Sequence, residues 1–218
     1  MNLEEFYNAI NESNVISASN RFKNLHLSEM SICGFKYRYA YDNKLIIPFK
    51  WEFEIGNAFE FLIYQKMRKF IPNVISQYEI KCNLNVNGNK YNLIGHTDIV
   101  DLNSNIVYEL KSSRSDNYTD IYERQLFSYI VYGNFTEGYL WKYNFITSKF
   151  TETEYLYNGV KDKAIYNLHR NLTAFDENRY VEGIENSLCK FCENDKCPFS
   201  KWYWQLWIKR WVHESLYV

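Results

Sequence analysis

The stretch Gly95-His96-Thr97-Asp98-Ile99-Val100-Asp101-Leu102-Asn103-Ser104-Asn105-Ile106-Val107-Tyr108-Glu109-Leu110-Lys111 decides the reading of this chain. Two β-rich runs flank an Asn-Ser-Asn tip, the residue chemistry of a hairpin. With Asn103 and Ser104 at the tip, Asp98 stands opposite Glu109, and Lys111, two residues further on, joins the same face. Two carboxylates about 5 Å apart repel by roughly 3 kcal/mol at an effective dielectric of about 20, so the pair is unfavourable without a cation. A divalent metal reverses the sign. Hard oxygen ligands suit Mg²⁺ or Mn²⁺, and a neighbouring ammonium can orient an attacking water and offset charge on a phosphate. Taken alone, the triplet is equally what an ordinary charged outer face of a hairpin carries.

The flanking sequence supplies the rest of a sheet and its cover. Strands near 74–82 and 90–101 meet at Asn87-Gly88, so with 106–112 they form a meander. Ahead of them, 51–70 places Ile55, Phe59, Leu62, Ile63, Met67 and Phe70 at helical spacing and stops before Pro72, with Glu60 in its middle. Residues 119–132 are helical up to Gly133, and aromatic-rich strands at 138–147 and 150–157 are joined by Thr147-Ser148-Lys149. A helical pattern returns from Val160 to about Tyr180. Helices are also expected at 3–12, at 28–41 carrying Cys33, and at 201–213. This order predicts an α/β chain of the α+β type, a mixed sheet flanked by helices.

Composition narrows the class. With 218 residues, 46% hydrophobic and 19% aromatic, the chain is neither a disordered tail nor a collagen-like repeat. Only 8 Gly and 3 Pro leave no flexible interdomain linker. The balance of 25 basic against 26 acidic residues excludes attraction to nucleic acid through global charge. Met1-Asn2-Leu3-Glu4-Glu5 is acidic where a signal peptide is basic, and no apolar run reaches membrane length, so an intracellular, cytoplasmic protein without a membrane partner is expected. Five cysteines, an odd number in a reducing compartment, favour metal ligation over disulfides.

Four elements in order resemble the PD-(D/E)xK nuclease superfamily, in its RecB-like branch: Gly56 and Glu60 in a helix ahead of the sheet, Gly95-x-x-Asp98, Glu109-x-Lys111, and Gln125-x-x-x-Tyr129 in the following helix. The resemblance implies a restriction-endonuclease-like fold. It also implies metal-binding carboxylates at Asp98 and Glu109, the backbone carbonyl of Leu110 as a further ligand, Lys111 as the catalytic lysine, and Gln125 and Tyr129 shaping the cleft. Glu60 stands where this branch commonly has histidine, and a carboxylate ligates Mg²⁺ or Mn²⁺ as well. His96 lies inside the motif and is read more as a neighbour of the site than as a ligand.

Cys189-x-x-Cys192-x-x-x-x-Cys197 sets three thiols close together, with Cys33 far upstream. The unequal split favours an iron-sulfur cluster over the paired CxxC of zinc ribbons, with four-cysteine zinc as the alternative. Members of the RecB-like branch with an iron-sulfur staple, the CRISPR-associated nucleases and the helicase-nucleases, place one cysteine before the nuclease core and three after it, and this resemblance implies a 4Fe-4S cluster. Closing so long a loop is worth about 4 to 5 kcal/mol by chain-closure arithmetic. Cys82, on a strand, reads as a buried apolar residue.

The division expected is an N-terminal helical segment (1–50) with Cys33, a nuclease core (51–157), and a C-terminal helical segment (158–218) with the other three ligands, stapled to the first. Lys36, Arg38, Lys66, Arg68 and Lys69 are candidate phosphate contacts or a solvated face, and Trp204, Trp207 and Trp211 are expected to pack rather than stack on bases. The function expected is an Mg²⁺- or Mn²⁺-dependent exonuclease on single-stranded DNA, with CRISPR adaptation proteins, such as an integrase complex, or a helicase as partners, and self-association left open. The alternatives are a structure-specific endonuclease of viral replication or repair, and a non-catalytic DNA-binding assembly subunit.

Overall fold

Asn87 and Gly88, both at positive φ (52° and 83°), make the tight turn that joins β2 (Val74–Val86) to β3 (Asn89–Asp101) in a long antiparallel ribbon. A computed structural model describes residues 24–44, 51–114 and 119–200. The helices expected at 3–12 and 201–213, with Trp204, Trp207 and Trp211, lie outside the described residues. The other edge of β3 is shared. Leu93 and Ile94 pair in parallel with β1 (Leu25–His26), whereas Ile99, Val100 and Asp101 pair with Tyr108, Val107 and Ile106 of β4 (Ile106–Ser113). Beyond β4 lie β5 (Glu137–Asn144), parallel to it, and β6 (Lys149–Leu156), antiparallel to β5, completing a six-stranded mixed sheet.

Alternation along the strands gives the sheet two differently covered faces. Val100, Val107 and Leu140 enter the larger core with Leu126, Tyr129 and Ile130 of α4 (Thr119–Tyr132), Leu168 and Leu172 of α5 (Tyr157–Asp176), and Leu27 and Met30 of α1 (Leu27–Ile32). Each such fully buried side chain stabilises by about 1.5–3 kcal/mol. Ile99, Tyr108 and Leu110 turn to the opposite face, where α3 (Trp51–Met67) covers them with Phe59, Ile63, Tyr64 and Met67. That helical stripe is shorter than expected: Ile55, Leu62 and Phe70 are exposed, and contact with the sheet is confined to Phe59, Ile63, Tyr64 and Met67.

Two expectations need correction. The helix anticipated over 28–41 is broken at Cys33, which is extended (φ −163°, ψ 103°) between α1 and α2 (Gly34–Asp42), so Cys33 is a junction residue and not a helical one. Asparagines from distant segments satisfy the backbone groups exposed by the break. Asn167 Nδ2 donates to Ser31 O at 2.6 Å, Asn186 Nδ2 to Ile32 O at 3.0 Å, and Asn171 Oδ1 accepts from the Gly34 N–H at 2.9 Å. Only glycine fits at position 34, where a Cβ would lie 1.8 Å from the Asn171 carbonyl oxygen. The β5–β6 turn is also earlier than expected, at 145–148, because Asn144 Oδ1 accepts from the Ile146 and Thr147 N–H groups (2.9 and 3.1 Å) and ends the strand in an Asx turn.

Candidate active site

The β3–β4 ladder stops one residue short of Asp98 and Glu109. Its register extrapolates to that pair, but the strands part there and the Leu110 N–H donates instead to Asp98 Oδ2 at 2.7 Å. The β2–β3 ladder is interrupted at the same level: Ser76 pairs with Ile99 and Tyr78 with Thr97, while Gln77 between them sits at φ 54°. Asp98 therefore stands at a local opening of the sheet, on the face that α4 covers.

Four charged side chains converge there. Glu109 is completely buried, Asp98 is 8% exposed, and the Lys111 ammonium abuts Glu109 Oε1 and lies 3.7 Å from Asp98 Oδ2. Neither carboxylate oxygen of Glu109 makes a well-formed hydrogen bond, and the Lys111 ammonium is its close partner. Glu60 reaches the group from α3, close enough for Asp98 and Lys111 to act on its charge. Burial, reinforced by Asp98, pushes the Glu109 carboxyl up to about 8 and that of Glu60 up to about 7, with Lys111 opposing both shifts. Burial alone would lower Lys111, but Asp98 and Glu109 overcome it and hold the ammonium above the usual lysine range.

Helix α4 closes the site. Gln125 and Tyr129, one turn apart, are joined by a hydrogen bond from Gln125 Nε2 to the Tyr129 hydroxyl at 3.1 Å. Burial and the Glu109 charge raise the Tyr129 phenol above its ordinary range. Gly95 admits this ring: a Cβ there would lie 3.0 Å from Tyr129 Cε1 and 3.2 Å from the Leu27 side chain. Gly56 has no such constraint, its nearest neighbour being Ser112 Oγ at 3.7 Å. Tyr122, three residues before Gln125, holds its ring 5.7 Å from the Lys111 ammonium. Sequence reading missed it, although its spacing already put it on the face of Gln125.

The structure thus brings together Glu60, Asp98, Glu109, Lys111, Gln125 and Tyr129. Leu110 contributes its N–H to Asp98 and its side chain to the α3-facing core. His96 turns away, half-exposed, with Nε2 3.8 Å from Glu79. Of the basic residues considered, Arg38 is engaged by Asp42 and Phe175, and Arg68 by the Tyr64 ring, so neither is offered to this site.

On the far side of α4, Cys33, Cys189, Cys192 and Cys197 line a single cavity with Lys36, Asn186 and Asn194. Burial and the other three thiols push Cys33 up to about 12, opposed by the Lys36 N–H that its sulfur accepts at 3.4 Å. The Cys189 sulfur accepts the Asn186 N–H at 3.3 Å. Cys82 is half-buried against the main core and apart from this cavity, its thiol raised by burial to about 11. Among the described residues, no group of three or more His, Cys, Asp or Glu side chains stands so placed that it could hold a metal ion, at either place. At the acidic site the Lys111 ammonium stands against the carboxylates. The tail bearing three of these thiols is docked on α4 by Arg124, which donates to Glu185 O at 2.8 Å, and by Asp120, which accepts from Ser187 N and Oγ.

No family model matches the sequence, and no curated protein matches it. The fold has solved counterparts. SSO0001 superposes with a TM-score of 0.65 at 19% identity, over 88% of this chain and 97% of that one. A phage-related exonuclease from Haemophilus somnus gives 0.51 at 10% identity, over 71% and 94%. An alkaline exonuclease from Laribacter hongkongensis gives 0.51 at 9% identity, over 73% and 91%. At these identities the likeness is one of fold.

Proposed function

We propose that this chain is a divalent-metal-dependent deoxyribonuclease of the PD-(D/E)xK type. The observation that carries the reading is the convergence of Glu60, Asp98 and Glu109 around one ammonium, with Glu109 fully buried and lacking a well-formed hydrogen bond. Buried carboxylates with raised proton affinity are expensive unless a cation faces them. Their hard oxygens fit Mg²⁺ or Mn²⁺, with the Leu110 carbonyl as a further donor.

When bound, the ion would supply Lewis acidity toward a phosphate oxygen and charge to stabilise the departing one. The protein's own part is orientation and charge. The Leu110 N–H fixes the Asp98 carboxylate, and Gly95 lets Tyr129 lie over the strand. Lys111, held protonated by two carboxylates, positions a water and offsets charge developing on phosphate. Gln125 and Tyr129 form the polar wall that the substrate strand meets. No serine or cysteine is needed as a nucleophile, and the reaction is direct hydrolysis.

The substrate is DNA attacked from an end, a reading supported by the two exonucleases among the structural counterparts, and single-stranded DNA is the form that the sequence resemblance implies. The four cysteines ring one cavity and receive backbone N–H groups at two of their sulfurs, which suits an iron-sulfur cluster acting as a staple between the segment before the core and the segment after it. Linear and circular single strands of one sequence, incubated with Mn²⁺, test the substrate reading. Degradation of the linear strand alone supports it. Cutting of the circle makes the chain an endonuclease, and an intact pair makes it a binding subunit.

A further inference from the structure

On the site face of the sheet, one cation has no acidic partner among the described residues. Lys111 and Lys142 are Cα partners in the parallel β4–β5 register, so their side chains leave the sheet on the same face from strands about 4.8 Å apart. The sense of that face is fixed by the preceding pair, Glu109 and Leu140, since Leu140 is buried in the core with Tyr129. Lys111 is committed to Glu109 and Asp98. Lys142 donates one hydrogen bond, to Thr119 Oγ1 at 2.9 Å, and among the described residues no carboxylate stands within ion-pair distance of it. An ammonium has three donors, and a half-buried one without an acid is poorly compensated by a single hydroxyl.

The charges around it say what the remaining donors are for. Glu60, Asp98 and Glu109 carry three negative charges against the one positive charge of Lys111, and a divalent ion brings this group only to neutrality. A polyanionic strand then finds no net attraction in that group itself, and Lys142, on the neighbouring strand, is a cation outside it. We propose that Lys142 is a phosphate anchor: its ammonium, fixed by Thr119, binds a phosphate of the substrate strand adjoining the one that is cleaved. The proposal rests on the nuclease reading above and adds a binding residue to it. The phosphate is either a terminal monoester or an internal diester, which one ammonium recognises alike.

The test compares Lys142→Met, Lys142→Arg and, as a control for surface charge, Lys149→Met on exposed β6. A fluorescent single-stranded oligonucleotide, with and without a 5′-phosphate, is titrated in EDTA over a range of salt, and KM and kcat are measured in Mn²⁺. Lys142→Met is expected to raise KM about tenfold at little cost in kcat, and to flatten the log Kd against log salt slope by about 0.7, the value for one phosphate contact on a single strand. Lys142→Arg should retain most of both, and Lys149→Met should change neither. An effect confined to the 5′-phosphorylated strand identifies a terminal phosphate, and an equal effect on both strands an internal one. The proposal is overturned if Lys142→Met leaves KM and the salt slope unchanged, if Lys149→Met matches it, or if Lys142→Arg fails equally. Loss of cleavage in Glu109→Ala beside an unaffected Lys142→Met would sink the anchor and leave the nuclease reading standing. Absence of both cleavage and binding in the wild type would end both.

Discussion

The Leu110 N–H donates to Asp98 Oδ2 at 2.7 Å across the point where β3 and β4 separate. A side chain thus takes the place of the next rung of the ladder, and the Asp98 carboxylate is held beside the Lys111 ammonium. This bond separates structure from chemistry at one residue. Asp98→Asn keeps an oxygen for the Leu110 N–H and should fold with a near-native thermal midpoint, while losing cleavage by more than about 100-fold, the scale of removing one transition-state contact. Asp98→Ala should lose cleavage and about 1–3 kcal/mol of stability as well, since it strands a buried donor. Chemical denaturation and single-turnover cleavage of the two variants check the split.

Metal-free stability should fall as the pH rises between 4.5 and about 8. Glu109 and Glu60 both have folded values above the ordinary 4.5, so the folded chain binds more protons than the unfolded one across that window, and raising the pH draws the equilibrium toward unfolding. Glu79 and Glu185 are shifted downward and act only at more acid pH. Urea midpoints measured in EDTA should decline toward pH 8, Glu109→Gln should flatten the decline, and Mn²⁺ should restore the midpoint most at the alkaline end. A midpoint that rises with pH contradicts the arrangement.

Two glycines in the same motif set should respond in opposite ways. Gly95→Ala drives a Cβ against Tyr129 Cε1 and Leu27, at an overpacking cost of about 1–3 kcal/mol, and displaces the phenol from Gln125. Gly56→Ala meets only Ser112 Oγ at ordinary contact distance on a helix, and should stabilise by up to about 1 kcal/mol through helix propensity. Paired unfolding curves decide, and equal effects would remove the steric account of Gly95.

The cysteine cavity predicts a set of four. Serine at Cys33, Cys189, Cys192 or Cys197 should each remove bound metal from an anaerobic preparation, whereas Cys82→Ser should retain it. Iron with matching sulfide and visible absorbance supports the cluster; zinc in a colourless protein replaces it with a zinc site, and no metal in the wild type rejects both.

The opposition of Asp98 to Glu109 was legible in the sequence because turn chemistry at Asn103–Asn105 pins the register of a short hairpin. That the ladder stops there was not, because the competing bond joins a side chain to a backbone group on another strand. The break at Cys33 was equally hidden: Asn167, Asn171 and Asn186, which make it tolerable, are more distant in the chain than any local pattern reaches. Local periodicity does identify α4, whereas Gln125 and Tyr129 within it were marked by the family resemblance, their spacing adding only that both lie on one helical face. Lys142 escaped notice because its position beside Lys111 depends on a parallel pairing whose register is set by packing of the crossover helix and by no turn.

The claim on which the others depend is that Asp98 and Glu109 hold one divalent ion that drives strand cleavage. Titrating Mn²⁺ into wild type, Asp98→Asn and Glu109→Gln, with cleavage of a labelled single strand followed in the same samples, tests it most directly. The account predicts cleavage that appears with ion binding in the wild type, disappears in EDTA, and is lost together with the ion in both variants. Cleavage that persists in either variant, or a wild type that binds Mn²⁺ elsewhere and leaves DNA intact, contradicts it.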